Sequence, residues 1–275
     1  MSKLPRILIV GCGNMGGAML QGWLAAGRDP ADFTILDPVL DRAPDGVTLL
    51  RDAPQEAFDA ILLGVKPQIL AHVAPSLEAL AGPDAMLLSI LAGVELATLA
   101  GHFPRAGAIV RVMPNLSAAL GKSPVALAAQ GLDSAGQERI AALLAPLGLT
   151  EWLAESLFDL VTALAGSGPA FLYRFIDALA TGATALGMER AQAERLALAT
   201  VEGAAALAAQ SGESPGELAR RVASPGGTTE AGLKALDAGG ALARLVEATL
   251  RAARDRGAEM AAQARAAANP GSQEA

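Results

Sequence analysis

One cysteine, two histidines and a shortage of basic residues set the first limits on this 275-residue chain. A single thiol, Cys12, excludes an internal disulfide framework. Two histidines without a cysteine cluster argue against zinc, so no metal is expected. The formal net charge of −7 lacks the basic stripe that nucleic-acid binding uses. It leaves a small anionic ligand open, because such a ligand responds to local field and not to total charge. No uncharged stretch approaches the ~20 residues that span a bilayer. The apolar run in "MSKLPRILIV" is too short for the core of a signal peptide and stops at glycine without a cleavage pattern. A soluble, cytoplasmic protein is expected, with neither a membrane nor a nucleic acid as partner.

What is abundant is small and apolar. The apolar share is 52%, and because much of it is alanine the excess favours close helix packing and hints at a buried subunit interface. The length suffices for two domains with a sizeable core.

Up to residue 154, short β-rich runs alternate with helical ones. "RILIV" (6–10), "FTILD" (33–37), "AILLGV" (60–65), "AMLLSI" (85–90) and "AIVRVMPN" (108–115) are mostly continuous apolar runs. Such runs suit a parallel sheet covered on both faces. Helical segments such as 15–26 lie between them, and 125–129 and 149–153 add candidate edge strands. The alternation predicts a Rossmann-like, doubly wound α/β domain over 1–154. From 155 the strand signals stop. Segments 157–164, 170–186, 190–210, 228–237 and 242–262 read as helices, punctuated by Gly187, Gly212 and Gly239-Gly240. An all-α domain over 155–265 is expected, followed by a disordered tail, 266–275.

Two stretches carry chemistry. "ILIVGCGNMGGAML" sets Gly11, Gly13 and Gly16 in G-x-G-x-x-G spacing, directly after a strand and opening a helix. Gly11 permits a tight turn, Gly13 lets backbone approach a pyrophosphate, and Gly16 lets the helix pack on the strand. The partly positive helix N-terminus then faces the phosphates. A plain βα turn is the alternative reading. Asp37 closes the second strand in "ILDP", where a carboxylate accepts from the adenosine ribose 2′-OH and repels a 2′-phosphate, favouring NADH. Asp-Pro also simply opens turns, and Arg42 and Arg51 are near enough in sequence to compensate a 2′-phosphate. Lys66, in "LLGVKPQ", stands at a strand's carboxyl end, which borders the ligand crevice of open α/β sheets. A lysine there is as a rule a solvated charge.

The other stretch is "SPGGTTEAGLKAL" (224–236), two glycines and two threonine hydroxyls running into an amphipathic helix. Structurally, Ser224 would be the N-cap and Pro225 the first helical residue. That reading leaves unexplained why two poor helix formers follow at once. Functionally, glycines without Cβ let a small anion approach the N–H groups at a helix mouth.

"VGCGNMGGAML", "VKPQ", "SILAGV", "RVMPN", "TALAGSGPAFLY" and "SPGGTT" follow one another in the order found in pyrroline-5-carboxylate reductases, and on these motifs the chain resembles that family over nearly its whole length. The glycine loop is shared by many dehydrogenases; "SGPAF" followed further on by "SPGGTTEA" is particular to this family. The resemblance implies reduction of 1-pyrroline-5-carboxylate to proline, the last step of proline synthesis, with NADPH or NADH as cofactor. It implies cofactor contacts at Gly11, Cys12, Gly13, Asn14 and Met15, at Val65, Lys66 and Pro67, and at Ile90, Leu91 and Ala92. Met113, Pro114 and Asn115 fall near the nicotinamide, and the substrate cup falls on Val222, Ser224, Gly227, Thr228 and Thr229. The helical part is then a dimerisation domain of an interlocked homodimer, often assembled into a decamer, with each active site between one subunit's nucleotide domain and the partner's helices. Four departures stand out. The family's "MPNTP" is "MPNLS" here (113–117), and its "HPG" is "SPG" (214–216). The adenosine-ribose position, often a small hydroxyl residue, is Asp37, and an asparagine that commonly contacts the cofactor falls near Arg51 or Asp52.

Pyrroline-5-carboxylate is a cyclic imine with one carboxylate, so its reduction needs a hydride at C5 and a proton on nitrogen. Backbone N–H groups around Gly227 and Thr228 are expected to hold the carboxylate without a basic side chain. Thr229, the expected catalytic residue, hydrogen-bonds the ring nitrogen. A threonine hydroxyl is too weak an acid to act alone, so it positions an iminium that arrives protonated, or relays a proton from water. Orientation then carries the catalysis. Trp23, Trp152 and Tyr173 are read as core or interface. Among rivals, β-hydroxyacid dehydrogenases of this plan rely on a lysine in the first long helix of the second domain, and 170–186 has Arg174 but no lysine. A ring-enlarged substrate, piperideine-2-carboxylate, differs by one methylene and stays open. A non-catalytic nucleotide-binding protein would keep the glycine loop but have no reason to keep Gly227 and Thr229.

Overall fold

In a computed structural model, which describes residues 5–268, the apolar runs of the first half lie side by side in one sheet. Its strands are β1 (Ile7–Val10), β2 (Phe33–Leu36), β3 (Thr48–Leu50), β4 (Ala60–Leu63), β5 (Met86–Ser89), β6 (Ala108–Met113), β7 (Ser123–Gln130) and β8 (Gly148–Trp152). They are ordered β3-β2-β1-β4-β5-β6-β7-β8. The first six are parallel; β7 runs antiparallel to β6, and β8 follows β7 in parallel. The chain therefore builds outward from β1 in both directions, and the reversal between β1 and β4 is a topological switch point.

Alternate side chains serve two separate cores. Leu8, Val10, Ile61, Leu63 and Leu87 pack on one face, while Ile7, Ile9, Leu62, Leu88 and Val110 pack on the other. A strand covered on both faces has no polar side, which is why these runs are continuously apolar. On the first face sit α2 (Leu70–Leu77) and α3 (Leu96–His102); on the second sit α1 (Asn14–Ala25) and α4 (Ser134–Leu144). Trp23 fixes α1: its ring stacks on Phe33 with centroids 5.5 Å apart, and its N–H donates to the Leu143 carbonyl at 2.8 Å. The expected strands are all present, but β7, expected at an edge, lies between β6 and β8, and of that pair only β8 is an edge strand. β3 was not legible, being only three residues, with Thr48 exposed and Leu49 and Leu50 half-buried.

The second half is helical: α5 (Phe158–Val161), a π turn (Thr162–Gly166), α6 (Gly168–Ala185), α7 (Arg190–Ser211), α8 (Pro215–Val222), α9 (Thr228–Leu236) and α10 (Ala241–Ala268). The helix expected at 157–164 ends in the π turn, where the Ser167 N–H donates to the Thr162 carbonyl at 2.9 Å. α8 was missed because its eight residues include three charges and few apolar ones. Its start is a capping box: Ser214 accepts from the Glu217 N–H, and the Glu217 carboxylate accepts from the Ser214 N–H at 2.9 Å. "SPG" in place of "HPG" is thus a helix N-cap. α10 continues through Ala268, past its expected end at 262 and into the expected tail of 266–275; residues 269–275 lie outside those described.

By packing, the residues up to Ser167 together with the stretch from Ala252 form one compact unit, and Gly168–Arg251 form another. The first unit runs past 154 because Phe158 is buried in the sheet's core and the Asn115 amide reaches Ala165. In the second unit the buried cluster is three alanines, Ala180, Ala193 and Ala197, while Leu172, Phe175, Leu196 and Leu245 are exposed. No helix among the described residues is long and apolar enough to cross a membrane.

Candidate cofactor and substrate sites

The turn from β1 into α1 is built for close backbone approach. Gly11 has φ +82°, and a Cβ there would lie 2.9 Å from both the nitrogen and Cγ1 of Val65. Its N–H donates to the Leu36 carbonyl at 2.9 Å, and the Gly64 N–H to the Val10 carbonyl at 2.8 Å, so the turn is tied to the ends of β2, β1 and β4. Gly13 is the N-cap of α1, without a side-chain cap and without an acidic residue in the first turn. Nothing lies within 4 Å of where its Cβ would be. At Gly16 a Cβ would sit 3.0 Å from the Gly11 carbonyl oxygen, so helix and turn touch. Uncapped N–H groups beside open space fit a pyrophosphate. Asn14 and Met15 open the helix just behind it.

Asp37 reaches back onto this turn. Its Oδ2 accepts from the Cys12 N–H at 2.9 Å, and its Oδ1 accepts from Val39 at 2.8 Å and Leu40 at 3.0 Å. Burial pushes this carboxyl upward, but those three N–H groups and the nearby Arg51 charge outweigh it and hold it below its ordinary value. Asp37 is therefore a turn residue and also a carboxylate on the glycine loop. Arg51 donates to the Asp37 main-chain carbonyl at 2.7 Å, and Arg42 pairs with Asp45 at 2.6 Å. Burial, and then the Asp37 charge, push the Cys12 thiol up to about 11, so it stays protonated and unreactive at neutral pH.

Because β2, β1, β4, β5 and β6 are adjacent and parallel, the residues following them gather at one edge of the sheet. Val65, Lys66 and Pro67 follow β4; Ile90, Leu91 and Ala92 follow β5; Asn115 follows β6. Lys66 is exposed, whereas the Leu91 side chain is buried in the core, which leaves only its backbone for a ligand. Asn115 behaves differently. Its Nδ2 donates to the Ala165 carbonyl at 2.9 Å, and its Oδ1 accepts from the Ser117 N–H at 2.9 Å and from the Ser117 hydroxyl. The amide expected near the nicotinamide is engaged by the Ala165 carbonyl and by the Ser117 N–H and hydroxyl, which makes Asn115 a positioning residue for the π turn. In "MPNLS" the hydroxyl stands one residue further on, at Ser117, and bonds the Asn115 Oδ1.

The second group of residues lies in the other unit. Ser224 to Gly227 form a turn in which the Gly227 N–H donates to the Ser224 carbonyl at 3.0 Å and Gly226 has φ +72°. Pro at the second position and a left-handed glycine at the third suit a type II turn. The helix begins only afterwards. Gly227 is the N-cap of α9, with no side-chain cap, so the expected Ser224 cap and Pro225 first turn are corrected. A Cβ on Gly227 would sit 2.5 Å from the Ser224 hydroxyl oxygen, which would have to rotate aside, and 3.0 Å from the Ser224 carbonyl oxygen.

The expected use of the Gly227 N–H for a carboxylate also changes, because Ser224 takes it. Thr228 and Thr229, first in the helix, keep N–H groups without intrahelical acceptors. Val222 ends α8 in an exposed position. Sequence reasoning overlooked Glu230. Its carboxylate accepts from the Gly226 N–H at 2.7 Å and pairs with Lys234 at 3.1 Å, and these two contacts, the first above all, hold it below its ordinary value. The signal was available: an acidic residue in the third helical position after a glycine turn.

Comparison with known proteins decides what this pairing of sites belongs to. A family model described as pyrroline-5-carboxylate reductase dimerisation matches residues 155–260, and one described as NADP oxidoreductase coenzyme F420-dependent matches residues 6–93. The pyrroline-5-carboxylate reductase of Pseudomonas aeruginosa is 38% identical over 269 residues, covering 94% of this chain and 98% of that protein. That of Methanosarcina acetivorans is 35% identical, covering 90% and 95%. The chain belongs to the pyrroline-5-carboxylate reductase family. Among solved structures, the pyrroline-5-carboxylate reductase of Coxiella burnetii superposes with a TM-score of 0.87 at 30% identity, covering 94% of this chain and 99% of that one. For a reductase of this family, the dimerisation match falls on the helices whose apolar side chains stand exposed in the single chain.

Proposed function

We propose that this chain reduces 1-pyrroline-5-carboxylate to proline with NADPH or NADH, using the Gly11–Gly16 turn for the dinucleotide and the Ser224–Thr229 turn for the imine. The observation that carries the reading is the uncapped glycine turn opening α9 on two adjacent threonines, in a chain that also carries an uncapped, open glycine turn after β1. A reduced nicotinamide supplies the hydride when bound. The first-turn N–H groups of α1 hold the pyrophosphate, and Val65, Lys66, Pro67, Ile90, Leu91 and Ala92 border it along the sheet edge. Asn115 keeps the π turn in place.

At the second turn, the Thr228 and Thr229 N–H groups hold the substrate carboxylate with the help of the helix dipole. The Thr229 hydroxyl hydrogen-bonds the ring nitrogen and orients C5, while the proton arrives with the iminium or from water. Glu230 clamps Gly226 and so fixes the turn. The helical domain, 155–265, is the dimerisation element, and the assembly is a homodimer built up into a decamer in the cytoplasm. Supporting this are the exposed apolar residues of the second unit and the absence of a membrane-crossing helix among the described residues.

The test is oxidation of NADH and of NADPH with pyrroline-5-carboxylate, for the native chain and Thr229→Ala. The native chain turns over, and the variant loses about a hundredfold in kcat, as expected for a lost orienting contact. No turnover with either dinucleotide refutes the activity. An undiminished variant refutes the role of Thr229 alone.

A further inference from the structure

We propose that Asp37 makes this reductase prefer NADH, its carboxylate receiving the adenosine ribose hydroxyls and rejecting a 2′-phosphate. The inference rests on the dinucleotide reading above and deepens it. Position is the first support. Asp37 directly follows β2, the neighbour of β1, and its Oδ2 lies 2.9 Å from the Cys12 nitrogen in the glycine turn. A carboxylate at the end of this strand meets the ribose of a dinucleotide whose pyrophosphate lies on that turn.

Rigidity is the second support. Three N–H groups, from Cys12, Val39 and Leu40, hold the two carboxylate oxygens. A carboxylate has about four lone-pair directions, so one remains for a ribose hydroxyl. To swing away from a 2′-phosphate, the side chain would have to abandon all three donors.

Charge is the third. A 2′-phosphate brings a charge approaching −2 to a place where Asp37 is ionised. Of the two arginines near in sequence, Arg51 donates to the Asp37 carbonyl at 2.7 Å, where its charge is offset by Asp37 itself, and Arg42 stands exposed in a surface pair with Asp45 at 2.6 Å. Like charges at contact distance weaken binding by about tenfold or more.

Equilibrium binding to the full-length protein tests this, read by nicotinamide fluorescence for NADH and NADPH and by calorimetry for ADP-ribose and its 2′-phosphate. The native chain is expected to bind NADH at least about tenfold more tightly than NADPH, with the same order for the two ADP-riboses. Asp37→Ser and Asp37→Asn are expected to close that gap, with NADPH gaining affinity. Equal or tighter binding of NADPH by the native chain overturns the proposal, as does a gap unchanged in both variants. Equal weakening of both dinucleotides would leave Asp37 a turn residue only, and a preference for NADPH that vanishes in Arg51→Ala would assign the ribose end to Arg51. Either outcome overturns the proposal. A native chain that binds neither dinucleotide refutes the underlying cofactor reading, a result distinct from a reversed preference.

Discussion

Glycine in the middle of a helix lowers its stability, so Gly22→Ala in α1 should help by helix propensity alone, by about 1 kcal/mol. The structure predicts the opposite. A Cβ on Gly22 would overlap the carbonyl oxygen of Ala118 and lie 2.8 Å from Leu147 Cδ2 and 3.1 Å from the Ala118 carbonyl carbon. The first obstacle is backbone, in the short helical turn at Leu116–Leu120 that Asn115 caps, and it cannot rotate aside. Overpacking of this kind costs about 1–3 kcal/mol, and against rigid backbone the upper figure applies. Subtracting the propensity gain leaves about 2 kcal/mol of destabilisation, or a Tm lower by about 4–8 °C. Gly17→Ala, in the same helix, is the matched control, because nothing lies within 4 Å of its Cβ position. It should raise Tm by about 2–4 °C. Differential scanning calorimetry of the two variants and the native chain decides the matter. If Gly22→Ala melts at or above the native temperature, close packing of α1 on that turn is not what demands glycine there.

Three further outcomes are expected. Glu155 accepts from the Arg111 guanidinium at 3.0 Å and from the Leu96 N–H at 2.7 Å, while Arg111 is only 3% exposed and lies over the Phe158 ring at 4.2 Å. Glu155→Gln, which leaves that buried charge without its counterion, should cost about 3 kcal/mol in denaturant unfolding; an unshifted midpoint contradicts this. Because the Asp37 carboxyl is held below its ordinary 3.8, its contribution to stability is present above that pH and is lost as pH falls through the lowered folded value. Thermal melts taken down through pH 3.8 should therefore fall more steeply for the native chain than for Asp37→Asn, and identical slopes would show that the carboxylate contributes nothing. With its thiol raised from 9.0 to about 11, Cys12 should be alkylated by iodoacetamide about a hundredfold more slowly than a free thiol at neutral pH, with the rate climbing only in strong alkali. Fast alkylation at pH 7 would mean that the thiol is not shielded.

Five apolar runs and the glycine spacing after the first of them were enough to specify a doubly wound sheet, since burial on both faces leaves its mark on every residue of a strand. β3 and α8 left no such mark, the one too short and the other too charged. The residues expected to meet a dinucleotide do share one sheet edge, because parallel strand order alone brings their ends together. Hydrogen-bond partners were a different matter. That Asp37 holds Cys12, that Asn115 is turned inward to Ala165, and that Gly226 and Gly227 surrender their N–H groups to Glu230 and Ser224 depends on where the folded backbone points each donor. The sequence by itself determined which segments are buried and on how many sides, because hydrophobic patterning is local and additive along the chain. Only the tertiary structure decided which polar groups stay free to meet a ligand. Each donor is satisfied by whichever acceptor folding brings within reach, and that acceptor can lie dozens of residues away.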